Sequence, residues 1–276
     1  MKPLSGRRVR VLIDHRLQAL TPLFQQAPPD HAQPLMLAGR AAGWVSLPAR
    51  QAIKHCAGVS IDHDTTHVGV PDQSGSPSLQ GVLHHVAETL REAGCLKAWR
   101  NEQIDIMAEG NCLGTLERAA MRPLGLRTRA VHLNAWSADG RLWVARRSLA
   151  KPTNPGCWDT AVGGLVSAGE SHQLALMRES QEEAGLEVNQ LDVLKPLRNI
   201  VRVSRRIPEG YQVEDILVAD YELPEHGLPV NQDGEVSEFE CLQLDDLLDR
   251  LAEGAFTLEA ELAILDSLGW RYPDSR

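Results

Sequence analysis

Residues 163–186 read GGLVSAGESHQLALMRESQEEAGL, and the placement of their charges decides how the whole chain is read. Between Ser171 and Ala184 there is neither proline nor glycine, and Gly185 stands where a helix would stop, so the pattern predicts one helix. At about 100° per residue, Glu179, Glu182 and Glu183 share one face, with Leu174, Met177 and Ala184 expected roughly opposite, toward a core. Like charges at these spacings destabilise an isolated helix by about 0.2–0.5 kcal/mol per pair. Local stability therefore does not explain them. A solvated acidic face is the commoner reading of such helices. The other is a divalent cation, because a hard ion such as Mg²⁺ takes carboxylate oxygens, keeps waters and reaches the phosphates of a substrate.

The spacing favours the cation. Gly164, Glu170, Arg178, Glu179, Glu182, Glu183, Gly185 and Leu186 resemble, position for position, the signature of the Nudix hydrolases. That signature runs Gly, five residues, Glu, seven residues, Arg-Glu, an aliphatic, any residue, Glu-Glu, any residue, Gly, an aliphatic. The one departure is Ser180, where an aliphatic is expected; it removes apolar contact from the buried side of the helix but no ligand.

The resemblance implies an α+β fold, an α-β-α sandwich around a mixed sheet. It also implies a loop–helix–loop that binds Mg²⁺ (or Mn²⁺) and cleaves a diphosphate linked to another moiety. Carried onto this chain, Glu179 and Glu183 would be metal ligands, Glu182 a further ligand or a partner of the attacking water, and Gly164 would offer a backbone carbonyl. Arg178 would hold a glutamate in place by charge-assisted hydrogen bonds, and Glu170 would support the loop. Water would attack phosphorus, activated and aligned by the metal. A later loop often supplies the general base or a further ligand. In NQDGEVSEFE (231–240) Glu235 is the first candidate and Glu238 the second, with a plain solvated loop equally compatible.

Outward from this segment the chain changes character near residue 125. AVHLNAW (130–136) and RLWVARR (141–147), separated by SADG, read as a hairpin. DTAVGGL (159–165), RNIVRVS (198–204), DILVADYEL (215–223) and EFECLQL (238–244) read as further strands, and two helices close the chain. Before residue 125, AAGWVSL (41–47) and EQIDIMA (102–108) read as strands around helices at 48–56 and 77–96. The reading is a small N-terminal α+β domain (1–125) followed by a Nudix domain (126–276). The first twenty residues read as a surface helix, since charges interrupt any signal-peptide core.

Arg146 and Arg147 end a strand that borders the site, and neighbouring strand residues point to opposite faces. One is thus a phosphate candidate and the other faces solvent, with Lys151 close behind. Arg205 and Arg206 are weaker candidates. Asn134 and Trp158 are candidates for the non-phosphate part of a substrate, although Trp158 suits a core equally well.

The segments at 98–106, 116–126, 142–171 and 233–239 and the tail FTLEAELAILDSLGW look like one Nudix subgroup, which is similar to the Nudix portion of fungal thiamine pyrophosphokinase. That likeness includes the N-terminal unit and implies thiamine diphosphate, or its damaged oxo and oxy analogues, as substrate. Cys157 replaces a basic residue of many relatives. Other Nudix substrates stay open: ADP-ribose, a dinucleotide or a nucleotide sugar. Isopentenyl diphosphate isomerase shares the fold, but its cysteine motif has no good counterpart here. A Nudix-fold ligand sensor without catalysis is the reading from another class, and the intact Arg178, Glu179, Glu182 and Glu183 argue against it.

Composition sets the outer bounds. The 276 residues are 43% hydrophobic and 24% charged, ordinary for a globular protein, with no apolar run of membrane-spanning length. A net charge of −9 opposes nucleic-acid binding by a general basic surface. The five cysteines have neither C-x-x-C nor zinc-site spacing, which fits free thiols in a reducing cytoplasm. The expected partner is a small-molecule diphosphate, with no nucleic acid and no membrane; association as a homodimer is allowed.

Overall fold

The computed structural model describes residues 6–69, 78–186, 197–224, 228–232 and 234–273. Pro77, at the head of the expected 77–96 helix, and Asp233, in the 231–240 loop, lie outside the described residues.

Elements are numbered in chain order. The first half holds α1 (Gly6–Phe24), β1 (Gln33–Leu37), β2 (Arg40–Val45), α2 (Leu47–Ile53), β3 (Val59–Ile61), β4 (Thr66–Val68), α3 (Leu79–Glu92), β5 (Gln103–Ala108), β6 (Asn111–Glu117) and α4 (Arg118–Met121). Strands β2-β1-β4-β3 form one small sheet and β5-β6 a hairpin. Against them α2 and α3 bury Ile53, Leu83, Val86 and Leu90 in a core shared with Leu35 and Ile106. Full burial of such a side chain stabilises by about 1.5–3 kcal/mol. The sequence pattern anticipated β2, α2, α3 and β5; β1, β3 and β4 are too short to show a period.

The second half holds β7 (Arg127–Trp136), β8 (Leu142–Arg147), β9 (Trp158–Thr160), β10 (Val162–Leu165), α5 (His172–Ala184), β11 (Arg198–Ile207), β12 (Gly210–Glu222), β13 (Val236–Leu242), α6 (Leu244–Glu253) and α7 (Leu258–Arg271). Its mixed sheet runs β11-β12-β7-β8-β13, with β10 beside β7 and β9 beside β8. β12 and β7 are parallel, from Val213↔Arg127 to Glu222↔Trp136. The stretch expected as a single strand at 159–165 is two. β7 and β8 pair only at Ala135↔Trp143 and Trp136↔Leu142. They then part, and β10 and β9 fill the gap on different partners.

Both faces of this sheet are covered. On β12, Ile216 and Val218 point to a core shared with α6 and α7, while Leu217 and Ala219 point to one shared with α5. That strict alternation makes the α-β-α sandwich. α1 is more than a surface helix: Val9, Ile13 and Leu20 are buried in the core with α6 and α7, and Arg16 donates to Glu261 at 2.5 and 3.1 Å.

The two halves meet at the loop before α5. Ser167 Oγ donates to Glu102 Oε1 (3.1 Å). Ala168 N donates to Gln103 O (2.8 Å), and Gly169 N to Asp105 Oδ2 (2.9 Å). One strand of the first half therefore braces the loop from which the acidic helix departs.

Candidate active site

The acidic helix has defined ends. Ser171 accepts a hydrogen bond from Leu174 N, and Gly185 closes the last turn at φ 63°, a left-handed conformation that suits glycine. The buried stripe differs from the expected one. It consists of Ala175, Leu176, Ser180 and Ala184 and takes in Glu183, whereas Leu174 is 57% exposed. The helix therefore lies on the sheet rotated from the expected pose, and its carboxylates run from buried to exposed. Ser180 is fully buried, and its Oγ has no hydrogen-bond partner among the described residues.

Arg178 organises the cluster. Its Nε and one terminal nitrogen bind both Glu170 oxygens at 3.0 Å, and that nitrogen also donates to Leu165 O at 3.1 Å. The other terminal nitrogen binds Glu179 at 2.8 Å and Glu182 at 3.2 Å. The hydrogen bond to Glu170, followed by the charge of Glu179, holds the guanidinium firmly protonated against its partial burial. Glu170 thus ties the loop to the helix, accepting from Ser167 N at 3.2 Å as well as from Arg178.

Glu179 lies against Gly164: a Cβ on residue 164 would fall 2.0 Å from its carboxyl carbon. Burial raises the Glu179 pKa, Arg178 opposes the rise, and Arg118 is near enough for its charge to oppose it too. Glu183 accepts from Gly163 N at 3.1 Å and lies 3.8 Å from Lys151 Nζ. Burial pushes its pKa up to about 7; the Gly163 amide and Lys151 counter this, and Glu179 and Asp159 add to it. Lys151 is also paired with Glu235, and the three share a narrow crevice with Asp159.

Among the described residues, no three acidic, histidine or cysteine side chains converge as they stand into a metal-holding group. Arg178 lies between the ligands expected from the sequence, and Glu183 is turned to the Gly163 amide. The donor chemistry still suits a hard divalent ion. Glu182 raises the cost of charging Glu179, and Glu179 and Asp159 raise that of buried Glu183, the kind of excess negative charge a divalent ion offsets. Ligation would require Glu182 to leave Arg178.

Beside Gly163 and Gly164 opens a cavity of about 500 Å³. The sandwich contributes Thr128, Ala130 and His132 on one face of β7, together with Asp159, Arg147 and Arg205. Arg147 is the inward member of the arginine pair: it donates to Asp159 at 3.0 Å and to Thr153 O at 3.1 and 3.2 Å. Arg146 points outward, its guanidinium 5.8 Å from the Trp158 ring and 3.7 Å from Glu238. Trp158 lies between Arg146 and Arg250, packed on the core. Arg205 lines the cavity, bonded to Gln212 and Glu259, whereas Arg206 fastens Ala27, Pro28 and Asp30 far from it.

Asn134, a candidate for the organic part of the substrate, does not line the cavity. It shares the face of His132 but sits further along β7 beneath α7, fully buried, donating to Ala263 O at 3.0 Å. Cys157 is half-buried and does not line the cavity.

The sequence pointed to none of His132, Thr160 and Asp159. His132 Nδ1 lies 2.9 Å from Thr160 Oγ1, whose own proton goes to Val162 O at 2.8 Å. The imidazole must therefore donate through Nδ1. A histidine and an aspartate at period-2 positions of two strand candidates were the available signal, but only the β9–β10 break brings them together. No helix among the described residues is long and apolar enough to cross a membrane.

Comparison with known proteins follows the same geography. The NUDIX domain family matches residues 126–262. Nudix hydrolase 24, chloroplastic, of Arabidopsis thaliana is 32% identical over 194 residues, 68% of this chain and 53% of that protein. Isopentenyl-diphosphate Delta-isomerase of Escherichia coli is 30% identical over 145 residues, 51% of this chain and 76% of that protein. The crystal structure of DR0079 from Deinococcus radiodurans aligns with a TM-score of 0.43 at 28% identity, covering 59% of this chain and 98% of that one. The chain spans about half the length of the plant relative. With the signature helix, the sandwich and the match to residues 126–262 in agreement, the chain belongs, through those residues, to the NUDIX domain family.

Proposed function

We propose that the protein hydrolyses an organic diphosphate to a monophosphate and inorganic phosphate, and that the substrate is thiamine diphosphate or its oxo and oxy analogues. The observation that carries the hydrolase reading is the glutamate set ordered by Arg178, seated on Gly164 at the edge of a cavity of about 500 Å³. Glu179, Glu182 and Glu183, with the Gly164 carbonyl, would hold Mg²⁺ or Mn²⁺. Such an ion, when bound, neutralises the diphosphate and makes water a better nucleophile. The chain's own residues do the rest. Arg178 fixes the ligands, Glu235 faces the Glu183 crevice as the candidate base, and Lys151 balances both carboxylates.

Support for a cationic organic group comes from Glu214. Its carboxylate lines the cavity, yet its hydrogen-bond donors among the described residues, Thr128 and Gln212, are neutral. A carboxylate with only neutral donors suits the cationic thiazolium of thiamine diphosphate and of its oxy analogue better than a second phosphate. A cytoplasmic site of action belongs to the same reading.

Mg²⁺-dependent hydrolysis should be measured as phosphate release for thiamine diphosphate and its oxidised analogues, and as release of the two organic monophosphates for ADP-ribose, dinucleotides and nucleotide sugars. Turnover of the thiamine compounds, cut by orders of magnitude in Glu182→Gln and Glu183→Gln with little change in thermal stability, is the expected result. Preference for a nucleotide sugar would overturn the substrate. Wild-type rates in both variants would overturn the assignment of the glutamates.

A further inference from the structure

Six cations line the cavity: Lys97, Arg100, Arg118, Arg122, Arg147 and Arg205. The two from the Nudix domain are committed, Arg147 to Asp159 and Thr153, Arg205 to Gln212 and Glu259. The other four come from the N-terminal unit, and of these Lys97 is paired with Glu209. Most of the positive charge at the cavity, Arg118 with its pairing to Glu102 included, therefore comes from outside the domain that carries the acidic helix.

Arg118 is the best placed of these. It is the first residue of α4, and among the described residues its side chain makes one hydrogen bond, to Glu102 Oε2 at 2.7 Å. A guanidinium has five N–H donors, so most of its fork remains available. The second oxygen of Glu102 accepts from Ser167 in the loop before α5. Arg118 is thereby held at the junction of β6 and α4 by Glu102 rather than on a free loop, close enough to Glu179 to influence its charge.

We infer that Arg118 binds a phosphate of the diphosphate substrate, and that the N-terminal unit thereby completes the active site. The inference rests on the diphosphate reading above but not on thiamine as the organic group. A planar fork bidentate on phosphate oxygens fits this residue. Arg118 is a binding residue, and Glu102 is a positioning residue that couples it to the loop.

The test uses the full-length chain and methylenediphosphonate, a diphosphate that cannot be hydrolysed, titrated calorimetrically with Mg²⁺ present. Arg118→Met should weaken binding about tenfold or more, the expected loss for charge-assisted bonds to phosphate. Arg118→Lys should recover part of it, and thermal melts should show both variants folded. With whichever diphosphate the wild type turns over, Arg118→Met should raise KM far more than it lowers kcat. A Kd within twofold of wild type in Arg118→Met, or no binding by the wild type, overturns the inference. Binding that depends on Arg118 without turnover of any diphosphate would uphold it and sink the hydrolase reading instead.

Discussion

Gly164 and the Glu179 carboxylate share one space: a single methyl group on residue 164 would lie 2.0 Å from the carboxyl carbon and from one oxygen. Gly164 has no left-handed backbone conformation to justify a glycine, so the close approach is the reason for it. Gly164→Ala must displace Glu179. A displacement near 1 Å of a catalytic group costs about 10²-fold in rate. Steady-state kinetics should show kcat/KM falling by about that factor in a variant that still melts cooperatively.

Ser180 buries a hydroxyl that finds no partner among the described residues. An unmet buried polar group costs about 1–3 kcal/mol, partly offset by the contact its oxygen makes. Ser180→Ala should therefore stabilise the fold by about 1 kcal/mol, seen as a higher urea midpoint at unchanged slope. Activity should stay at the wild-type level, because no ligand is touched.

Asn134 should behave as a core residue. Asn134→Ala removes its bond to Ala263 O and leaves a small void, offset in part by the loss of a buried Oδ1 that has no hydrogen-bond partner among the described residues, at a net cost of about 1 kcal/mol. KM should remain within twofold of wild type. A large rise in KM without loss of stability would return Asn134 to the substrate site.

His172, at the first turn of α5, accepts from Arg129 at 3.2 Å and so is held unprotonated. Burial, then the charge of Arg129, lowers its pKa below the usual 6.5. With the folded pKa depressed, the unfolded chain takes up the proton first. The stability tied to this group is therefore complete above about pH 6.5 and lost as pH falls. Urea unfolding from pH 7.5 to 5 should show a shallower decline in His172→Gln than in the wild type.

The helix 171–184 was legible because everything that defines it is local: caps, period and the register of charges lie within one short segment. Its rotation on the sheet was not, since Leu174 and Ala175 are equally plausible core residues until the sheet beneath is known. The same limit explains Asn134. It shares a face of β7 with His132, but the cover provided by α7 is a contact 129 residues away. Arg118 and Glu102 lie in segments that carry the subgroup resemblance, but nothing there marked either side chain for a role. Their meaning arises only when β5 docks on the loop at 167–169, which no periodicity encodes.

The packing of α1 has a consequence for how the chain is made. Val9 and Ile13 are buried with Leu262 and Leu268, and the Arg16–Glu261 pair spans 245 positions. During synthesis the early helix must wait, its apolar stripe uncovered, until nearly all the remaining residues have emerged. Contacts of such sequence separation slow folding. This core should close only after translation of the second half, leaving α1 the segment most in need of shelter on the ribosome.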